Sequence, residues 1–373
     1  MSIFAKLNKI STMQSLFEIP VSKPFDPASL KVEVKNTTIG QLKEMLSKNL
    51  IDLQPDFQRH GNLWDNPRKS RLIESIILGL PLPSFYFYID EIEKKWVVID
   101  GLQRLCAIKD FMVDKKLKLV GLQFLGDLHT KHDYDDFSYY EQLDMSMRSV
   151  TLNVISGTAS TEAKYIIFQR INSEATQLSP AEIRNALFHG KSMKMVKELA
   201  ESNEFDSATN YSVSKKRLRH YDFISRFLAF YILGYNSYSN NKMDLFIGTA
   251  LDAINSENDE NKVDGLREVF NSSLAICHSL LGNDAFRQPL SNNDKKNNPV
   301  SITLFESMMY SIAKLNSNQR QRLLLRKECY VTKYKEMFQD EFLRKELSRS
   351  TNSYKSVNYR FSKMEELVEV VLK

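Results

Sequence analysis

Two hydrophobic periodicities divide this chain unequally. Up to about residue 190, short β-type runs alternate with helical stripes; beyond it only helical stripes recur. Thr38-Ile39-Gly40-Gln41 has the form of a capping box and predicts a helix running to about Leu50. After the extended or looped stretch Pro55 to Asn62, Asn66-Pro67 predicts a second helix, with Asn66 as its cap and Leu72, Ile73, Ile76 and Ile77 on its apolar face. Gly79 and Pro81 end it. Phe85 to Ile89 and Trp96 to Ile99, joined by the charged Asp90 to Lys95, predict a hairpin. Leu102 to Met112 predicts a helix, Ser149 to Ile155 a strand, and Thr161 to Ile171 and Pro180 to Phe188 two more helices. The last of these is capped by Ser179 with Glu182 three residues on. Helical stripes follow at Met193 to Leu199, Leu218 to Leu233, Leu245 to Ile254, Leu266 to Leu281, Ile302 to Leu315 and Arg320 to Leu347. Two polar breaks, Asn255 to Asn261 and Ser291 to Asn298, are expected to be mobile loops. The pattern predicts an α+β domain followed by an all-α domain, with an N-terminal extension over 1–37, a mixed domain over 38–190 and a helical domain over 191–373.

A length of 373 residues fits about two domains. Only 12 Gly and 10 Pro argue against a loop-rich or all-β design. The net charge of +5 permits contact with nucleic acid or nucleotide without demanding it. Basic runs occur at Lys215-Lys216-Arg217-Leu218-Arg219 and from Arg320 to Lys327; Asp133 to Asp136 and Glu257 to Glu260 are acidic. Three widely spaced cysteines, Cys106, Cys277 and Cys329, argue against a disulfide framework or zinc site and for an intracellular, cytoplasmic protein. No secretory segment and no run long enough to span a bilayer is visible. His129 and His132 read as surface residues in a polar loop, and His220 and His278 as structural.

The candidate chemistry centres on Val97 to Leu105. An apolar strand ends in Asp100-Gly101, and a helix begins at once with Leu102-Gln103-Arg104. A glycine turn beside the free N–H groups of a helix start, with a carboxylate and a guanidinium, suits a phosphate and its metal ion. Two further polar clusters flank it in sequence: Gln54 to Arg59 with Trp64-Asp65, and Phe168-Gln169-Arg170-Ile171-Asn172 before Leu178 to Arg184.

Together these strings resemble the DGQQR-motif family of ParB/sulfiredoxin-like domains, which forms the N-terminal half of GmrSD-type restriction enzymes and of related phage-defence proteins. The corresponding strings are Phe57-Gln58-Arg59 with Trp64, Ser75 to Pro81, Ile99 to Arg104, Phe168 to Asn172, and Leu178 to Glu182. Leu102 stands where the family has its first glutamine. The histidine-centred HNH nuclease half of GmrSD-type proteins has no counterpart in residues 191–373, so no stand-alone nuclease activity is expected. The resemblance implies a ParB-like small mixed sheet with helices, and a sensor or regulator in defence against foreign DNA, with the effector a separate protein.

Asp100 is then expected to hold Mg2+, or to cap the following helix; both roles are compatible. Arg104 and Arg59 would grip phosphate oxygens, unless they form buried ion pairs with Asp100 and Asp56. Gln58 would orient a water. Gly101 and Gln103 would line the site, and Arg170 and Asn172 would close it from the opposite helix. Trp64 either stacks on a nucleobase or belongs to the core. The leading expectation is a cytoplasmic nucleotide-binding protein, with NTP hydrolysis open to it, using Mg2+ and a nucleoside triphosphate, without membrane contact and open to oligomerisation. The alternative is a nucleotide-independent DNA-binding or adaptor protein, with Lys215, Lys216, Arg217 and Arg219 on phosphates. A DNA-nicking ParB-like nuclease ranks third.

Overall fold

The computed structural model describes residues 31–53, 64–89, 96–126, 131–156, 161–171, 178–188, 190–239, 242–289, 298–348 and 351–373. The chain divides into two compact units, which among the described residues run from 31 to 187 and from 188 to 373. Gln58, Arg59, Asn172 and His129, the stretch Pro55 to Asn62, and the hairpin connection Asp90 to Lys95 lie outside the described residues.

The first unit is built on a five-stranded mixed sheet ordered β1-β5-β3-β4-β2. Its strands are β1 (Lys31–Thr38), β2 (Ile51–Asp52), β3 (Phe85–Ile89), β4 (Trp96–Asp100) and β5 (Ser149–Ser156). β1 pairs antiparallel with β5, β5 parallel with β3, β3 antiparallel with β4, and β4 parallel with β2. Alternation decides the buried face: Val150, Leu152 and Val154 of β5 join Phe85, Phe87 and Val98 in one core. Helices α1 (Ile39–Ser47), α2 (Asn66–Ile77) and α3 (Leu102–Ile108) close it with Leu42, Leu46, Ile73, Ile76, Leu105 and Ile108. α4 (Tyr139–Met147) packs on α1 and α2, and α5 (Thr161–Ile171) packs on β4 and on α6 (Pro180–Leu187).

The predicted hairpin forms, with a register shift near its end. Tyr86 pairs with Asp100 while Phe87 pairs with Val98, so Ile99 is an extra residue. A bulge of this kind re-aims the residue beside it, here Asp100.

Several local details differ from the sequence reading. Asp65, not Asn66, caps α2: its side chain accepts the Arg68 N–H at 2.9 Å, and the extended backbone of Asp65 leaves Asn66 as the first helical residue. Thr38 caps α1, but the Gln41 side chain turns to the Thr37 hydroxyl instead of completing the box. At α6 the box is complete, with the Ser179 hydroxyl accepting the Glu182 N–H at 3.2 Å and the Glu182 carboxylate accepting the Ser179 N–H at 2.6 Å. The helix predicted over Leu102 to Met112 changes at Lys109 into a π-turn, Lys109–Val113. β1 was not predicted; Val32 and Val34 alternate with Lys31, Glu33 and Lys35, but the four leading residues are exposed on both faces.

The second unit is all helical among its described residues. Its helices are α7 (Lys191–Ala200), α8 (Asn203–Ala208), α9 (Arg219–Leu233), α10 (Met243–Ser256), α11 (Glu260–Leu281), α12 (Ile302–Ala313), α13 (Ser317–Leu325), α14 (Lys327–Met337), α15 (Glu341–Ser348) and α16 (Tyr354–Leu372). α12 is buried along its whole length from Thr303, as expected of a helix packed by α9, α11 and α16. Phe305 sits in an aromatic cluster with Phe205, Phe223, Phe270 and Phe286 at centroid distances of 4.7 to 6.3 Å.

The stripe predicted from Arg320 to Leu347 is three helices, broken at Arg326 (φ −103°, ψ 27°) and again before Glu341. α16 lies beyond the predicted elements, although Val357, Phe361, Met364, Val368 and Val371 give it an apolar stripe. The break predicted as a mobile loop at Asn255 to Asn261 is a short bonded link. Asp259 caps α11 by accepting the Asn261 N–H at 3.0 Å, and Glu257 accepts the Asp259 N–H at 2.9 Å. That backbone bond lowers the Glu257 carboxyl below its ordinary range.

Candidate functional site

The turn at Gly101 exists because no other residue suits it. Its φ is 96°, and a Cβ there would lie 2.5 Å from Cδ1 of the buried Phe85. The chain therefore turns from β4 into α3 within one residue, which sets Asp100 and Arg104 side by side.

Arg104 is bound on every side by its own domain. Its Nη2 donates to Asp100 Oδ2 at 2.8 Å and to the Ser84 carbonyl at 3.2 Å, its Nη1 donates to the Pro83 carbonyl, and its guanidinium lies 4.6 Å from the Phe85 ring centroid. The Arg104 side chain is 6% exposed and that of Asp100 15%. The buried ion pair, one of two readings open from the sequence, is the one present. Arg104 positions the carboxylate and locks the chain before β3; it does not reach outward as a phosphate clamp. Asp100 is the more accessible of the two.

Gln103 is buried, and its Oε1 accepts the Trp64 backbone N–H at 3.3 Å. This bond ties the segment entering α2 to the start of α3, so two of the three polar clusters meet. The Trp64 ring carries the Arg68 guanidinium at 4.6 Å, and its indole N–H is buried with no hydrogen-bond partner among the described residues. The helix of the third cluster, α5, packs on β4; Phe168 is buried, while Arg170 is exposed in the last turn.

The sequence reading missed the polar side of α2. Lys69, Ser70 and Glu74 are buried, although two of them are charged. Lys69 pairs with Asp110 at 2.7 Å. Lys116 also reaches Asp110, at 2.9 Å, and this hydrogen bond raises its ammonium above the ordinary range. Glu74 accepts three consecutive backbone N–H groups, from Gln123, Phe124 and Leu125, at 3.0, 2.7 and 2.8 Å. Ser70 accepts the Val120 N–H at 3.0 Å. These contacts strap the segment Val120 to Leu125 onto α2. The available signal was Ser70 and Glu74 one turn apart beside the apolar stripe.

His132 holds Leu119, its Nδ1 lying 3.0 Å from that carbonyl oxygen. His220 is buried against Tyr221, and His278 lies on α11. Among the described residues no three His, Cys, Asp or Glu gather as a metal site, and no helix is long and apolar enough to cross a membrane.

The two basic runs have different fates. Lys215 pairs with Asp206 at 2.7 Å, whereas Lys216, Arg217 and Arg219 are exposed around a left-handed turn at Arg217 and Leu218, with φ of 56° and 55°. In the second run, Arg320 to Lys327, three arginines are bonded within the helical unit. Arg320 is buried and bonded to Ser272 and to the Ala313 carbonyl, while Arg322 and Arg326 donate to the last carbonyls of α16, Leu372 and Val371.

Residues 42–189, a stretch shorter than half the chain, match the family model described as GmrSD restriction endonuclease, N-terminal domain. No curated protein and no solved structure matched the chain. The matched stretch holds the sheet from β2 to β5, the Asp100–Gly101 corner and helices α2 to α6. Residues 42–189 thus belong to the family of N-terminal domains of GmrSD restriction endonucleases.

Proposed function

We propose that this protein serves in restriction or phage defence, and that its mixed unit binds a nucleoside triphosphate with Mg2+ at the Asp100 corner. The observation that supports this most is the Trp64–Gln103 bond, which holds the segment entering α2 against the start of α3, next to Asp100. The Trp64 indole N–H beside it, with no partner among the described residues, is a donor suited to a ligand oxygen. A lone carboxylate is a poor complete site for Mg2+ but fits an ion whose remaining ligands are phosphates and water. Asp100 would hold that ion, held in aim itself by Arg104; the ion supplies neutralisation of phosphate charge. Arg59, Arg170 and Asn172 would meet the phosphates, Gln58 would orient a water, and no side-chain nucleophile is needed. A separate effector protein would act on the DNA.

Calorimetric titration with ATP and GTP tests this reading. With Mg2+ present, micromolar binding is expected, at least tenfold weaker in Asp100→Asn and severalfold weaker in Arg170→Ala, a tenfold loss being about 1.4 kcal/mol. Arg170 is exposed, so its loss should leave the melting temperature unchanged. No heat at millimolar nucleotide, with or without Mg2+, would overturn the proposal.

The exposed Lys216, Arg217 and Arg219 favour a second reading, DNA binding without nucleotide. Three phosphate contacts predict a log–log salt slope of about −3. In that case Lys216→Glu with Arg219→Glu abolishes DNA binding while Asp100→Asn leaves it intact; a salt-insensitive affinity would exclude it.

A further inference from the structure

A cavity of about 880 Å³ opens in the helical unit between the end of α11, the segment after it, and one face of α14. That volume lies within the range of small-molecule sites. The register of α14 builds one wall: Lys327, Val331, Tyr334, Lys335 and Phe338 share a face at steps of three and four. Leu280 and Leu281 continue the apolar floor across from Val331 and Phe338.

The charge of this wall is one-sided. Lys327, Lys335 and Arg344 line the cavity, against one carboxylate, Asp284, among the described lining residues. The C-terminus of α11 adds about half a negative charge, so the balance stays positive. Lys327 and Lys335 have no ion-pair partner among the described residues, and Arg344 only grazes the exposed Glu341 at 3.7 Å. On the same helix, Lys333 faces elsewhere and is paired with Glu336 at 2.7 Å. The unpaired cations are thus those turned to the cavity.

The wall is also braced. Arg287 donates to the Asn283, Asn298 and Thr209 carbonyls and to the Ser212 hydroxyl, and the Tyr334 hydroxyl donates to the Arg287 carbonyl at 2.6 Å. A site held open by bonds to backbone needs little reorganisation on binding.

We infer that this cavity binds a small organic phosphate: an anionic head against Lys327, Lys335 and Arg344, and an apolar body on the floor of Leu280, Val331 and Phe338. The three cations that line the cavity exceed what one carboxylate neutralises, which favours a phosphate dianion or diphosphate. A nucleoside diphosphate has the matching size and chemistry. This site needs no metal ion, so its test is separable from that of the Asp100 corner.

Calorimetry on the full chain, in EDTA, with ADP and with inorganic pyrophosphate as probes, decides the matter. ADP is expected to bind in the micromolar range, at least tenfold more tightly than pyrophosphate. Lys327→Glu with Lys335→Glu should weaken ADP at least tenfold, while Lys333→Glu and Asp100→Asn leave it unchanged; circular dichroism checks that these surface variants are folded. ADP binding that survives the double reversal, falls equally in Asp100→Asn, or is absent at millimolar ADP would overturn the inference. Equal affinity for pyrophosphate would overturn the assigned apolar body.

Discussion

Glu306→Gln is expected to lower the stability of the helical unit by about 3–5 kcal/mol, the largest effect of any single substitution considered for this protein. Glu306 lies between two buried guanidiniums. Its carboxylate accepts from Arg226 Nε and Nη2 and from Arg360 Nε and Nη2, and its side chain has no exposed surface. Asn352 Oδ1 takes further Arg226 donors at 3.1 and 3.2 Å. Burial by itself would push both guanidiniums down. At Arg226 the Glu306 carboxylate outweighs burial and holds the group above its ordinary value. At Arg360 burial prevails, and the like charge of Arg226 adds to it.

Removing the one carboxylate leaves two cations facing each other in a dry core. Replacing the whole triad should do far less harm, because the desolvation of all three charges disappears with them. Arg226→Met with Glu306→Leu and Arg360→Met is expected within about 1 kcal/mol of the parent, or more stable. Thermal unfolding followed by far-UV ellipticity should show Glu306→Gln lowered by on the order of 10 °C. A shift within about 1 °C would mean that the triad has little energetic role.

Gly101→Ala is the second large effect, expected at about 2–5 kcal/mol in the mixed unit. Two independent costs meet at this position. A non-glycine residue at φ 96° costs about 1–2 kcal/mol. The added Cβ would also sit 2.5 Å from a Phe85 carbon, and overpacking a rigid core costs about 1–3 kcal/mol more. Phe85 cannot retreat easily, since it is fully buried and Arg104 lies over its ring.

Gly121→Ala separates the two costs, because it also has a positive φ, of 62°, but its nearest neighbour would be Pro67 at an ordinary 3.5 Å. It should lose only about 1–2 kcal/mol. The two tryptophans, Trp64 and Trp96, both lie in the mixed unit, so their fluorescence reports this transition. Equal losses in Gly101→Ala and Gly121→Ala would show that Phe85 yields, and that the corner is softer than its packing indicates.

Much of the architecture follows from short-range rules that the sequence displays. Ser179 and Glu182 satisfy each other across one helical turn, so neither needs the rest of the fold to mark where α6 begins. Gly79, Gly101 and Gly190 mark ends and turns because their φ values are positive. β3 and β4 were legible as short apolar runs rich in aromatic and β-branched residues, and β5 by its alternation. β1 was not predicted although Lys31 to Lys35 alternates, and in the fold that alternation marks no buried face, since Lys31 to Val34 are all exposed on this edge strand. α16 had its stripe in the sequence, whereas the division of Arg320 to Leu347 into three helices rests on backbone breaks that leave no periodic trace.

The residues at the corner were named from the sequence, with the Asp100–Arg104 pair as one of two readings; the other partners of Arg104 were not. Sequence order places Arg104 four residues after Asp100 and nothing more. Only the fold brings the Pro83 and Ser84 carbonyls and the Phe85 ring to the same guanidinium, turning a candidate phosphate clamp into a brace. The same holds for Glu74, Lys69 and Glu306. A charged residue beside an apolar stripe reads as solvated surface until the chain returns from 41 residues or more away to bury it. Residue type and spacing settle local conformation because helix and strand periods act within a few residues. Burial, and with it the meaning of each charge, depends on which distant segments pack there, and that was decided by the tertiary structure alone.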